Sequence, residues 1–213
     1  MKHKLFIFIA FFICINAFAE KKTDKLDNNK WNWIEGSDKY QTVAIENGYM
    51  ELKANKKNKK ASDYQNCAKT FCKLPIRGKD NYNLSIKCEV PEYNAKSIFT
   101  VFFNTDKKCM DDEEGNGTFS TAYIMMVGNY WLLTLPDGRV LKDKLPGKLK
   151  KADNFPFEFN IVKKGKNVTI EINGIQIFDD EYIMTEPCIG FMVPLDNSLK
   201  IDEVSVEQAS EDD

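Results

Sequence analysis

The stretch FEFNIVKKGKNVTIEINGIQIF, Phe157 to Phe178, decides the fold. Phe157, Phe159 and Ile161 alternate with Glu158 and Asn160, and Lys164-Gly165-Lys166 then turns the chain. Val168, Ile170 and Ile172 alternate with Thr169 and Glu171, and Asn173-Gly174 leads into Ile175-Gln176-Ile177-Phe178. A period of two puts alternate side chains on one face of a strand, and Asn-Gly tolerates the positive φ angles of a tight hairpin. The segment predicts three antiparallel strands with one apolar face.

The same signals recur outward from it. Thr42–Ile45 and Tyr49–Leu52 flank a second Asn47-Gly48 pair. Further strands are predicted over Tyr82–Val90, Ile98–Thr105, Ser120–Val127, Tyr130–Leu135, Cys188–Val193 and Leu199–Val206, with Pro136-Asp137-Gly138 as a turn. Lys53 to Asp63, with five lysines, and Asp106 to Thr118, with Asp111 to Glu114 consecutive acids, read as solvated loops. No stretch after the N-terminus sustains a helical period. Many short strands with regular turn signals imply an all-β, two-sheet antiparallel β-sandwich.

The N-terminus reads differently. Lys2, His3 and Lys4 precede an apolar run from Leu5 to Ile15, and Ala17-Phe18-Ala19 is a small-x-small cleavage site. This is the pattern of an export signal over residues 1–19, with Glu20 as the first mature residue. The run is too short to span a bilayer, and no second one follows, so no membrane span is expected. Cys14 follows Phe11, Phe12 and Ile13, which is not a lipobox. The expected destination is secreted, periplasmic or extracellular. The expected organisation is one sandwich domain over 20–207 and a disordered acidic tail over 208–213.

Removing the signal constrains the chemistry. His3 is the only histidine of the chain, so Ser-His-Asp and Cys-His catalysis and His-ligated zinc lose their imidazole. With Lys2 and Lys4 gone, 30 basic residues fall to 28 against 32 acids, a net charge of −4. A mildly acidic domain without a basic stripe does not point to nucleic acid. Five cysteines remain (Cys67, Cys72, Cys88, Cys109 and Cys188), an odd number that cannot all pair within the chain. They read as buried thiols or as one or two disulfides, and Cys67 and Cys72 are near enough in sequence to bridge in a loop or a bent strand.

Several motifs together carry a family resemblance. Trp31-Asn32-Trp33 precedes the hairpin from Val43 to Leu52. Tyr82-x-Leu84-x-Ile86 and the Phe159-to-Gly174 segment follow, and Ile189-Gly190-Phe191 and Ile201-Asp202-Glu203-Val204-Ser205-Val206 close the chain. The whole resembles the concanavalin A-like lectin/glucanase jelly roll, in particular a secreted bacterial branch near laminin G-like and 3-keto-disaccharide hydrolase domains. That resemblance implies two curved sheets, one of which handles carbohydrate, with a glycan or polysaccharide as partner. Catalytic residues do not carry over. The Glu-x-Asp-x-x-Glu strand of family 16 glycoside hydrolases is missing, and the region matching the Asn-Ser-Gly segment of the keto-disaccharide hydrolases reads Ala95-Lys96-Ser97-Ile98-Phe99.

Sugar recognition uses an aromatic ring against the pyranose C–H face and amide side chains on the hydroxyls. Tyr123, Asn129, Tyr130 and Trp131 form the most suggestive cluster, with Asn104 and Asp106 at a strand end as rim candidates. Alternation places Trp131, Leu133 and Leu135 on one face and Tyr130, Leu132 and Thr134 on the other, so one aromatic faces a groove while the other packs the core. Asp111–Glu114 lacks the alternating spacing of a calcium loop and reads first as a solvated run, with calcium as the alternative; no other cofactor is expected. Asn116-Gly117-Thr118 and Asn167-Val168-Thr169 match the N-glycosylation pattern, which matters only in a eukaryotic source. The leading expectation is carbohydrate binding without catalysis. The alternatives are a glycoside hydrolase or lyase using carboxylates such as Glu158 and Glu171, and a structural or adhesive surface domain.

Overall fold

A computed structural model describes residues 20–60, 62–63, 65–77, 79–104, 121–145 and 154–208. The export signal, Asp106, Cys109, Asp111–Glu114, Asn116–Thr118 and the residues after Gln208 lie outside that range. The described residues form fifteen strands in two antiparallel sheets and no helix.

The segment that decides the fold becomes β11 (Asn154–Lys164), β12 (Asn167–Ile172) and β13 (Ile175–Glu181). Ile172 pairs with Ile175 and Glu46 with Tyr49, so both Asn-Gly pairs are two-residue loops. Asn47, Gly48, Asn173 and Gly174 all hold positive φ, between 51° and 78°, as such loops require. The second pair joins β3 (Gln41–Glu46) to β4 (Tyr49–Ala54).

The larger sheet runs β13-β12-β11-β6-β15-β4-β3-β2, where β6 is Tyr82–Pro91, β15 is Ser198–Gln208 and β2 is Gly36–Ser37. The strand β1 (Glu20–Asp24) joins it as a ninth by pairing with the far half of β15. The smaller sheet runs β10-β9-β8-β7-β14-β5, comprising Val140–Lys144, Tyr130–Thr134, Ala122–Val127, Ile98–Phe103, Cys188–Val193 and Ala68–Lys73.

One core fills the space between the sheets. Leu84, Ile86, Phe157, Phe159, Ile161, Ile170 and Val204 face inward from the nine-stranded sheet, and Phe99, Val101, Phe103, Ile124, Leu133, Ile189 and Phe191 from the other. The ring of Phe99 lies 5.1 Å from Phe157 and 6.1 Å from Phe159, edge-on to both. In β15 a bulge between Ile201 and Glu203 changes the parity, so Leu199 and Ile201 face inward before it and Val204 and Val206 after it.

Some expectations change. Gln208 belongs to β15, paired with Tyr82 and Glu20 and bonded to Asp80 Oδ2 at 3.0 Å, so order extends one residue into the expected tail. The strand expected from Ser120 is described from Ala122, and that expected to reach Thr105 from Ile98 to Phe103. A Cys67–Cys72 bridge is overturned. Cys72 lies in the extended β5, whose Ala68-to-Cys72 stretch alone spans about 13 Å, far beyond disulfide reach. Cys67, Cys72 and Cys88 are buried free thiols, and Cys188 is buried as well.

This burial has a pH consequence. Desolvation raises the thiols of Cys67, Cys72 and Cys88 and the phenols of Tyr82, Tyr93 and Tyr182, with Tyr93 pushed up to about 12. Each keeps its proton in the fold at a pH where the unfolded chain releases it. Their contribution is present below the unfolded values and lost as pH rises past them. Lys163, whose ammonium desolvation lowers, works in the opposite direction, one group against six. The urea midpoint should therefore fall steadily between about pH 9 and about pH 12. An unchanged midpoint over that range would contradict the burial described here.

Candidate functional site

Register and alternation assign every side chain of the six-stranded sheet to one of two faces. The outward row through its middle reads Phe71, Gly190, Phe102, Tyr123, Thr134 and Val140, each residue the cross-strand partner of the next. Phe71 and Phe102 stand 5.5 Å apart between ring centroids, and Phe102 and Tyr123 5.9 Å. Gly190 lies between the two phenylalanines in register. A Cβ there would run into the Phe71 ring and come within 2.8 Å of the Thr70 carbonyl oxygen. The aromatic row closes because this strand carries no side chain at that point.

The neighbouring outward rows are also apolar. Met192, Thr100, Met125 and Leu132 form one, ending in Lys69 at the β5 edge and Lys142 at the β10 edge. Ile98, Val127 and Tyr130 form another, ending in Lys144. None of the side chains that register assigns to this outward face, among the described residues, is a carboxylate.

Two concavities flank it. A depression of about 390 Å³ is lined by Met125, Val127, Tyr130, Trp131, Leu132, Lys142 and Asp143. A groove of about 760 Å³ opens at the β5 edge, where Phe71 and Lys73 meet Trp31, Ile34, Lys22 and Arg77. In that groove Asp80 is occupied by its neighbours: its Oδ2 accepts from the Arg77 backbone N–H at 3.2 Å and from Gln208 Nε2 at 3.0 Å.

The residues singled out in the sequence fall in different places. Tyr130 is 57% exposed on the outward face, with the Lys144 ammonium 5.6 Å from its ring centroid. Trp131 is 9% exposed and alternates inward with Leu133, although it also lines the smaller depression. Tyr123 is half-buried on the outward face beside Phe102. Asn129 is buried in the turn between β8 and β9, where its carbonyl accepts from Leu145 N–H at 2.8 Å.

Asn104 is buried and fully engaged. Its Nδ2 donates to Tyr182 Oη at 2.8 Å, and its Oδ1 accepts from the Thr185 and Glu186 N–H groups at 2.7 and 2.8 Å. With φ at 53° in the left-handed region, it pins the 182–186 segment to the end of β7. Glu158 and Glu171 lie on the outward side of the nine-stranded sheet, away from all of these. Phe71, Phe102 and Gly190 were not among the sequence candidates. Their only sequence signal is the Ile-Gly-Phe motif, which does not reveal that a ring from β5 covers the glycine. Among the described residues, no group of three His, Cys, Asp or Glu side chains is arranged to hold a metal ion.

No protein-family profile matches the chain, and no curated protein does. Solved structures do. The chain is similar to a Bacillus subtilis protein of unknown function with a galectin-like fold (13% identity, TM-score 0.58, covering 88% of this chain and 94% of that one). It is also similar to the laminarinase catalytic domain of Thermotoga maritima (14%, 0.58, 89% and 98%) and to the endo-β-1,3-glucanase of Pyrococcus furiosus (12%, 0.59, 89% and 94%). The fold is a concanavalin A-like jelly roll. At these identities the likeness concerns the fold alone, so what this jelly roll does must come from its own faces.

Gly190→Ala should lower stability by about 1–3 kcal/mol, since the backbone oxygen of Thr70 cannot yield as a side chain can. Phe71→Leu in the same background should recover part of the loss in a urea titration. A Gly190→Ala variant as stable as the parent would contradict the packing of the aromatic row.

Proposed function

We propose that this protein is an exported carbohydrate-binding jelly roll without catalysis of its own. The observation that carries the reading is the β8–β10 part of the outward face of the six-stranded sheet, where the exposed Tyr130 stands beside the half-buried Tyr123, Met125, Val127 and Leu132 and no carboxylate points outward among the described residues. Pyranose rings offer apolar C–H faces that rest on such side chains, with Tyr130 as the exposed platform and Thr134, Tyr123 and the bordering lysines as hydroxyl partners.

Glycoside hydrolysis needs two carboxyl groups about 5–10 Å apart across the scissile bond. This face supplies neither, and Glu158 and Glu171 belong to the other sheet. That favours binding over hydrolysis. A purely structural domain would need no depression beside an exposed tyrosine. The likeness in fold to a laminarinase and a glucanase is consistent with a carbohydrate ligand. Export is supported by the signal pattern of residues 1–19.

Affinity electrophoresis through gels containing different polysaccharides tests the proposal. At least one glycan should retard the protein and remain unhydrolysed. Tyr130→Ala should weaken that interaction by about 1–3 kcal/mol with no change in Tm. Trp131→Ala should instead cost about 3–5 kcal/mol of stability, because its ring is packed inward. Mobility unchanged in every gel would overturn the proposal.

A further inference from the structure

The two sheets carry opposite charge on their outward faces. On the nine-stranded sheet the acids Glu51, Glu89, Glu158, Glu171, Glu203 and Glu207 all point outward, partly offset by Lys21, Lys53, Lys87, Lys164 and Lys200. On the six-stranded sheet the only charged outward side chains among the described residues are lysines: Lys69 and Lys73 on β5, Lys142 and Lys144 on β10. In the groove at the β5 side, Arg77 is paired with Asp80 at 3.3 Å and leaves no unbalanced charge. Neither Lys73 nor Lys142 pairs with a carboxylate among the described residues. Asp143 touches the rim of the smaller depression but alternates to the other side of β10, and its Oδ1 accepts from the Lys144 backbone N–H at 2.7 Å.

Edge strands commonly carry lysine to block pairing with other chains. That purpose is indifferent to the sign of the charge, and the free edge strand β13 of the other sheet serves it with Asp179, Asp180 and Glu181. Edge protection therefore explains charge at the borders but not the segregation of its sign. Nor does overall composition explain it, since the chain carries more acids than bases.

We propose that the glycan bound by this face is an anionic polymer, bearing uronate carboxylates or sulfate esters, and that the bordering lysines select it by charge. This rests on the carbohydrate-binding reading above and adds the ligand's charge to it. Six strands at about 4.8 Å spacing put the two lysine borders roughly 24 Å apart, so a chain crossing the strands reaches both and a single sugar does not. Met192, Met125, Leu132 and Tyr130, which keep exposed surface, would carry the sugar rings while the anionic groups meet ammonium groups at either end. Lysines near an anionic surface typically contribute about fivefold each to affinity, an effect that salt screens.

The test is calorimetry of the full chain against dextran, dextran sulfate and polygalacturonate at low and high salt, with single-stranded DNA as a fourth arm. Dextran sulfate, polygalacturonate or both should bind about tenfold or more tighter than dextran, with the advantage shrinking in salt. Which of the two binds distinguishes sulfate from carboxylate. The double variant Lys73→Gln/Lys142→Gln should lose about tenfold or more, and Lys59→Gln/Lys60→Gln, in the lysine-rich loop, less than about twofold.

Equal affinity for dextran and dextran sulfate would overturn the charge preference and leave carbohydrate binding standing. Binding to neither dextran sulfate nor polygalacturonate would overturn the charge preference, and carbohydrate binding itself falls only if no polysaccharide retards the protein. DNA bound as tightly as the best saccharide, or an equal loss from the loop variant, would overturn selection by this face.

Discussion

The contact of Phe99 with Phe157 and Phe159 is the one on which the rest of the molecule depends. It is made between sheets, edge-on, by rings with almost no exposure. Edge-to-face rings contribute about 0.5–1.5 kcal/mol beyond the area they bury, and buried phenylalanines dominate such a core. Their inward direction fixes the parity of β7 and β11. Through cross-strand pairing it then sets the parity of every neighbour, because a slip of one residue would turn an entire strand inside out. Phe102, Tyr123 and Tyr130 point outward for the same reason that Phe99, Ile124 and Trp131 point inward.

The outward face is thus a by-product of the core that has been given its own chemistry. In antiparallel sandwiches the solvent side of a sheet is ordinarily polar. The nine-stranded sheet follows that rule, with its glutamates and lysines and an ion pair between Lys87 and Glu203 at 3.3 Å. The six-stranded sheet departs from it, with aromatic and aliphatic rows and lysine only at the borders. Tyr130 and Val140 are exposed on that face, whereas Phe71 and Phe102 in its middle are covered, at 4% and 6% exposure.

Much of the architecture was legible in the sequence, and the physical reason is alternation. Strands β6, β8, β9, β11, β12 and β14 bury one face, so their patterns show directly, and both Asn-Gly turns formed at the expected positions. Strands β1, β2, β5 and β10 were not read. β10 (Val140–Lys144) is exposed at every residue and has no buried face to betray it, while β5 packs the small residues Ala68, Thr70 and Cys72 inward, which do not look apolar enough to register.

The site was legible only in part. The opposite directions of Tyr130 and Trp131 followed from alternation, whereas the buried engagement of Asn104 depends on Tyr182, Thr185 and Glu186, some eighty residues away. The Phe71–Gly190–Phe102 row and the charge segregation required knowing which strands share a sheet, information no local pattern holds. The most direct test of the account is chemical-shift mapping with an oligosaccharide of a glycan that retards the protein. The account predicts shifts concentrated on β8, β9 and β10, strongest at Met125, Tyr130 and Leu132, with Glu158 and Glu171 unmoved. Shifts concentrated on the nine-stranded sheet would contradict it.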